Sequence, residues 1–205
     1  MCDKEAIAKA LLTTREILDK HSVFFWLESG TLLGAMREKD IIEGDDDADL
    51  SYHFKDSLRI LETRKDFKDS GYDLRTPGSK FEIWDIKTNT HLVCLMPVDT
   101  KKGWAYRVQF LLPLHYLDAL LDKLHIKVFD KIVWKLTMKL NLYTDWFVRC
   151  PAGMLARFKT ATIQNNRYFV PEYAESYLTY KYGHWKIPKP GEKGFEKKKL
   201  KDVIY

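Results

Sequence analysis

The stretch ESGTLLGAMREKDIIEGDDDADL, residues 28–50, decides how the rest of this chain is read. It opens on a small-residue turn, Ser29-Gly30-Thr31, between an apolar aromatic run (residues 22–27, SVFFWL) and a short amphipathic run (residues 31–37). The first run predicts a β-strand and the second a helix. The turn then presents backbone N–H groups at a helix N-terminus, where the dipole favours an anion and Thr31 can cap the helix or meet a phosphate. The stretch closes on Asp45-Asp46-Asp47-Ala48-Asp49. On an extended strand, residues two apart share a face, so Asp47 and Asp49 project together with Asp45 just upstream. Such carboxylates repel unless a cation lies between them, and hard oxygen donors suit Mg²⁺ or Mn²⁺. The apolar flanks, Ile41-Ile42 and Leu50, draw the cluster toward a core rather than a solvated loop.

Outward from this segment, residues 4–20 carry apolar positions at helical spacing, and residues 47–54 predict a second strand. Residues 55–70 predict one charged helix stopped by Gly71. Residues 81–86 and 91–98 predict a hairpin around residues 87–90, followed by a strand over 104–112. Residues 114–147 read as helical and residues 171–181 as a last helix, with loop between them. The sum is an α+β domain: a small mixed β-sheet, flanking helices and a helical C-terminal half.

A glycine turn between strand and helix, followed by Asp-x-Asp on the next strand, is the layout of the nucleotidyltransferase fold. More closely, the segment resembles the LicD/fukutin family of phosphoalkyl transferases, whose pattern runs GTLLG-x-x-R-x(4)-I-P-W-D-D-D-x-D. Gly30, Thr31, Leu32, Leu33, Gly34, Arg37, Ile42, Asp45, Asp46, Asp47, Asp49 and Leu50 fall in register with it. A second family-like stretch, Val170-Pro171, Tyr177-Leu178, Tyr182-Gly183-His184-Trp185 and Pro188, lies near the end. In two places the chain departs from the pattern. The family's Pro-Trp is Glu43-Gly44 here. The third acid of the family's site falls either on Asp85, in Ile83-Trp84-Asp85-Ile86, or on the position held by Cys94.

The resemblance implies a transferase that moves a phosphoalkyl group, phosphocholine or a phosphopolyol, from a CDP-activated alcohol donor to a hydroxyl of a glycan or glycolipid acceptor, releasing CMP. It implies Asp47, Asp49 and Asp85 as catalytic residues, Asp45, Asp47 and Asp49 as ligands of Mg²⁺ or Mn²⁺, and Ser29, Gly30, Thr31 and Arg37 as anchors of the donor phosphates. The alternatives are a nucleotidyltransferase that releases pyrophosphate and a degenerate relative that binds nucleotide or glycan without turnover. His184 is a candidate on the acceptor side, and Tyr182 and Trp185 are packing residues.

Composition bounds these readings. The chain has 205 residues, 45% hydrophobic and 31% charged, which suits one well-buried domain over residues 1–185, with a helical insert at about 114–158. Three cysteines, Cys2, Cys94 and Cys150, without CxxC spacing argue against a disulfide framework or a zinc site. No run approaches the roughly 20 apolar residues of a spanning helix, and the start of the chain is polar, so a cytoplasmic setting is expected. Of the net charge of +5, residues 186–205 hold +4, seven Lys against Glu192, Glu196 and Asp202. This basic tail is a solvated end or a contact for phosphate, and with a nearly neutral core nucleic acid is the least favoured partner. Lys127, Lys131, Lys135 and Lys139 recur every four residues beside apolar positions. That pattern fits peripheral contact with an anionic membrane or glycan, or a helix packed on the domain with its lysines in water.

Overall fold

The computed structural model describes residues 3–123, 127, 129–145 and 150–187. Helix α1 (Lys4–Lys20) starts where the Asp3 carboxylate accepts the Glu5 N–H, and it buries Ile7, Ala10, Leu11, Thr14, Ile17 and Leu18 along one stripe. Strand β1 (Phe25–Leu27), helix α2 (Ser29–Arg37) and strand β2 (Ala48–His53) follow. After a 3-10 turn come α3 (Ser57–Glu62), α4 (Arg64–Asp69), β3 (Tyr72–Arg75), β4 (Phe81–Asp85), β5 (Thr90–Lys101) and β6 (Trp104–Phe110). The remainder holds α5 (Leu112–Lys123), α6 (Asp130–Lys139), β7 (Tyr143–Asp145), β8 (Cys150–Pro151), β9 (Phe158–Ile163), β10 (Asn166–Pro171) and α7 (Ala174–Tyr182).

The central sheet is mixed, in the order β1-β2-β5-β4-β3. Strands β2 and β5 are parallel and the other pairs antiparallel, and β6 extends from β5 to carry β7 and β8. Helix α1 crosses β2 and β5, and α2 lies between β2, β9 and α7. The core between them is rich in large side chains: Phe25, Leu27, Leu50, Tyr52, Phe81 and Leu95 are all nearly inaccessible. Trp134 of α6 stacks on Phe81 with ring centroids 4.5 Å apart, which fixes α6 to the sheet. Burying each such side chain contributes roughly 1.5–3 kcal/mol.

The α+β class, the mixed sheet and its flanking helices match the expectation. Three local features differ. The single charged helix of residues 55–70 is two short helices, because the buried Thr63 turns its hydroxyl back onto the Ile60 carbonyl. The helical run of 114–147 ends at Lys139, and β7 follows. Residues 158–170, expected as loop, and Pro171, expected to start the last helix, form the β9–β10 hairpin. Its turn residues Gln164 and Asn165 both have positive φ, as a two-residue hairpin turn demands. Described helices include none long and apolar enough to cross a membrane. Cys94 and Cys150 are buried free thiols, while Cys2, Pro188 and the basic tail beyond residue 187 lie outside the described residues.

Candidate active site

The site forms where β1 hands over to α2 and β2 begins. The Glu28 carboxylate caps α2 by accepting the Ser29 N–H at 3.1 Å, and Ser29 takes the positive φ of 50° that the tight turn requires. Thr31 is fully buried, and its hydroxyl oxygen accepts the Asp49 N–H at 2.7 Å. Thr31 therefore positions the start of β2. The two glycines of α2 allow close approach. A Cβ on Gly30 would stand 2.8 Å from Asp45 Oδ2, and one on Gly34 would stand 2.3 Å from the Asp40 carbonyl oxygen. The turn thus seats the Asp45 carboxylate directly against the N-terminal end of α2.

Asp45, Asp47 and Asp49 come together. Burial raises the Asp49 carboxyl to about 6, and the Asp47 charge adds to it, against the pull of Arg107 and Lys181. Burial likewise raises Asp47 to about 6, with Asp46 and Asp45 adding to it. Asp45 reaches about 6 by burial and by repulsion from Asp49, Asp46 and Glu38. Three carboxylates that resist ionising together are short of positive charge, the condition a divalent cation relieves. Among the described residues, no three His, Cys, Asp or Glu side chains are grouped closely enough to hold a metal ion by themselves. The open arrangement fits Mg²⁺ or Mn²⁺, which bind through one or two carboxylates and take their other ligands from water and substrate phosphates.

Asp85 does not join them. It sits at the far end of β4, where its carboxylate accepts the Lys87 and Thr88 N–H groups at 2.8 and 2.9 Å and closes the β4–β5 turn. The Thr88 N–H holds its carboxyl below the ordinary range. Across the sheet from Asp49 the ladder places Cys94, and opposite Cys94 it places Glu82. Residues paired across a ladder face the same way, so Asp49, Cys94 and Glu82 form one row. Burial and the Asp49 charge push the Cys94 thiol up to about 12, so it is neutral at pH 7. Glu82 is pushed up by burial, but Lys80, 2.5 Å away, together with His91 and the Trp84 N–H, holds its carboxyl below the ordinary range.

Of the remaining expected residues, Arg37 donates from Nε and Nη2 to Glu38, and its buried Nη1 has no partner among the described residues. Ser29 Oγ accepts from Lys181 Nζ at 3.2 Å. The C-terminal motif reaches the same place: Tyr177 donates to Glu28 at 2.9 Å, and Lys181 pairs with Glu28 at 2.5 Å. Trp185 is buried and donates to Thr179 Oγ1 at 3.1 Å, whereas His184 is exposed.

Four neighbours of the cluster went unread in the sequence: Lys80, Glu82, His91 and Arg107. His91 Nδ1 lies 3.5 Å from Asp47 Oδ2, and Nε2 lies 3.1 Å from the Val93 carbonyl oxygen. Burial lowers its pKa, so the imidazole is neutral at pH 7. Arg107 lines a cavity of about 20 Å³ together with Glu28, Ser51, Tyr177 and Lys181, room for about one water. Strand register carries Glu82 into the row, through Cys94, from Asp49, and only the sheet pairing shows it.

A strand–turn–helix unit followed by aspartates clustered at the entry to a strand of a mixed sheet defines a nucleotidyltransferase-type domain. A family model described as LicD/FKTN/FKRP, nucleotidyltransferase domain, matches residues 22–126, and the chain belongs to that family. Human ribitol 5-phosphate transferase FKRP is 32% identical over 118 residues, covering 51% of this chain and 24% of its own length. The mouse protein of the same name is 34% identical over 119 residues, with the same coverage. An uncharacterized protein of Rickettsia typhi is 36% identical over 75 residues, 36% of this chain and 24% of its own. The chain thus spans about a quarter of the length of the curated relatives it matches.

Proposed function

We propose that this domain transfers a phosphoalkyl group from a CDP-activated alcohol to a glycan or glycolipid hydroxyl, releasing CMP. The observation that carries the reading is the trio Asp45, Asp47 and Asp49, each raised to about 6 by burial and mutual repulsion beside the α2 N-terminus. The name of the human relative favours a phosphopolyol, ribitol 5-phosphate, over phosphocholine.

Asp47 and Asp49 would hold Mg²⁺ or Mn²⁺, with Asp45 adding charge from the α2 side. When bound, such a cation neutralises the charge that develops on a diphosphate as its phosphorus is attacked. Thr31 keeps the Asp49 backbone in place. The N-terminal turn of α2, at Ser29 and Gly30, faces the donor phosphates, and the Arg37 guanidinium supplies a further phosphate contact. Asp85 is tied into its turn, so His91 replaces it as the base beside Asp47 that accepts the proton of the attacking hydroxyl. A second reading, binding without turnover, is favoured by Cys94, a neutral thiol paired with Asp49 across the sheet at one of the two positions open to the third acid.

Titration calorimetry of CDP, CDP-ribitol and CDP-choline with Mg²⁺, Mn²⁺ or EDTA tests the site, with Asp47→Ala/Asp49→Ala as the control. Metal-dependent binding that disappears in the double variant is the expected result. An acceptor screen then separates the reactions: CMP marks phosphoalkyl transfer, pyrophosphate marks nucleotidyl transfer, and binding with neither product marks the degenerate relative. A folded protein that binds neither metal nor nucleotide overturns the assignment.

A further inference from the structure

We propose that the outer flank of the α5–α6 pair docks onto an anionic membrane surface. Among the described residues, eight of the fourteen exposed large apolar side chains lie within residues 111–140. Phe129, Ile132, Leu136 and Leu140 are 49, 52, 46 and 56% exposed. Their spacing of three, four and four residues aligns them in one row along α6. The inward side of the same helix holds Val133, Trp134 and Thr137, all buried. On α5, which packs beside α6, Leu117 and Leu120 are one turn apart and 42 and 52% exposed. A helix that only covered the domain would place polar residues at these positions, and contiguous apolar exposure marks a contact surface.

Charge identifies the occupant. The described carboxylates of the two helices turn inward: Asp122 accepts the Thr76 N–H, and the fully buried Asp130 pairs with Arg64. The lysines turn outward. Lys131 pairs with Glu62 at 2.7 Å, while the exposed Lys135 and Lys139 have no carboxylate partner among the described residues. The three lysines run in a row beside the apolar row, so the flank is apolar and positive. A second copy of this chain on the same face would set lysine against lysine. An anionic bilayer instead offers a hydrocarbon boundary for the leucines and negative headgroups for the ammonium groups. No described helix is long and apolar enough to cross the bilayer, so the contact is lateral.

Flotation of the full chain with vesicles tests this, using phosphatidylcholine alone and phosphatidylcholine with about 30% phosphatidylglycerol. The chain is expected to float with the anionic vesicles only. Ile132→Ser/Leu136→Ser/Leu140→Ser should weaken binding about tenfold or more. Lys135→Glu/Lys139→Glu should weaken it by at least roughly fivefold per lysine at low salt. The changed residues are exposed, and an unshifted melting temperature verifies the fold of each variant. Failure of the native chain to float overturns the proposal. So does undiminished flotation of the apolar variant, which keeps every lysine of residues 186–205 and would assign binding to them. Self-association abolished by the apolar variant, without flotation of the native chain, overturns it in favour of a second copy. None of these readouts depends on nucleotide binding or turnover.

Discussion

Glu28 and Lys181, 153 positions apart in the chain, meet at 2.5 Å beneath the N-terminus of α2. Both side chains are nearly inaccessible, and Tyr177 closes the pair by donating to the same carboxylate. Burial pushes the Glu28 carboxyl up, but the Lys181 charge and the hydrogen bonds from Lys181, Ser29 and Tyr177 together hold the group below its ordinary range. This pair joins the end of β1 to α7, so the last motif of the sequence anchors the first. Lys181→Met leaves a buried carboxylate unpaired and should cost about 3–5 kcal/mol of stability in urea unfolding. The double variant Glu28→Gln/Lys181→Met should recover part of that loss. A single variant as stable as the native chain would show that the pair does not hold α7 in place.

Thr31 and Asp49 give a second, more local test. Thr31→Val keeps the shape but removes the acceptor of a part-buried N–H, at a cost of about 1–3 kcal/mol. Thr31→Ser keeps the acceptor. In calorimetry, Mg²⁺-dependent nucleotide binding should fall in the valine variant and persist in the serine variant. Equal binding in both would remove Thr31 from the positioning of Asp49.

The two glycines of α2 separate site from scaffold. Alanine is the better helix former by about 1 kcal/mol, so space alone sets the outcome. At Gly30 the new methyl meets the end of the Asp45 side chain, which can swing aside. Gly30→Ala should hold its melting temperature within a few degrees and lose metal affinity. At Gly34 the methyl meets the backbone carbonyl of Asp40, which cannot. Gly34→Ala should be destabilised by about 1–3 kcal/mol or more. If the two variants swapped these behaviours, Asp45 would not belong to the metal site.

Asp45, Asp47 and Asp49 set a pH dependence whose sign is opposite to that of a paired carboxylate. Their folded values of about 6 lie above the ordinary 3.8. Between these limits the folded chain holds protons that the unfolded chain has released, so stability falls as pH rises from about 4 to 6 and stays lower above. Each shift alone is roughly 3 kcal/mol, and the coupled set gives less than the sum. His53 and His91, whose values burial lowers, act the other way as pH falls below 6.5. The comparison is therefore made against Asp47→Asn/Asp49→Asn. In metal-free buffer the native chain should lose more stability than this variant between pH 4 and 6, and Mg²⁺ at pH 7 should stabilise only the native chain. Parallel stability curves for the two proteins would contradict the charge repulsion.

Legibility in the sequence followed the range of the interactions. Helix α1, the turn at Gly30 and the aspartates leading into β2 rest on local spacing and were readable from it. The β9–β10 hairpin was not, because Gln164-Asn165 lacks the glycine that marks such turns, although both residues adopt positive φ. Glu82, Lys80, His91 and Arg107 reach the site through strand pairing between distant segments, and register is a tertiary property. Arg37 is a phosphate anchor by the family resemblance and by residue type, whereas in the fold its neighbour Glu38 takes two of its donors.

Asp85 shows where strand pattern misleads. An aspartate flanked by Trp84 and Ile86 in an apolar strand looks like a buried ligand, yet β4 ends there and the hairpin turn claims its carboxylate. Asp85→Ala removes the acceptor for two backbone N–H groups and should cost about 1 kcal/mol of stability. Because the site lies at the Glu82 end of β4, metal-dependent nucleotide binding by this variant should stay within about twofold of the native value, a free-energy change of roughly 0.4 kcal/mol. Glu82→Ala should have the converse profile: it removes the carboxylate facing Cys94 and frees the Lys80 ammonium beside Asp47, so binding should change by far more than twofold. Loss of binding in Asp85→Ala with Glu82→Ala unaffected would restore Asp85 to the site and reverse the assignment made from the sheet register.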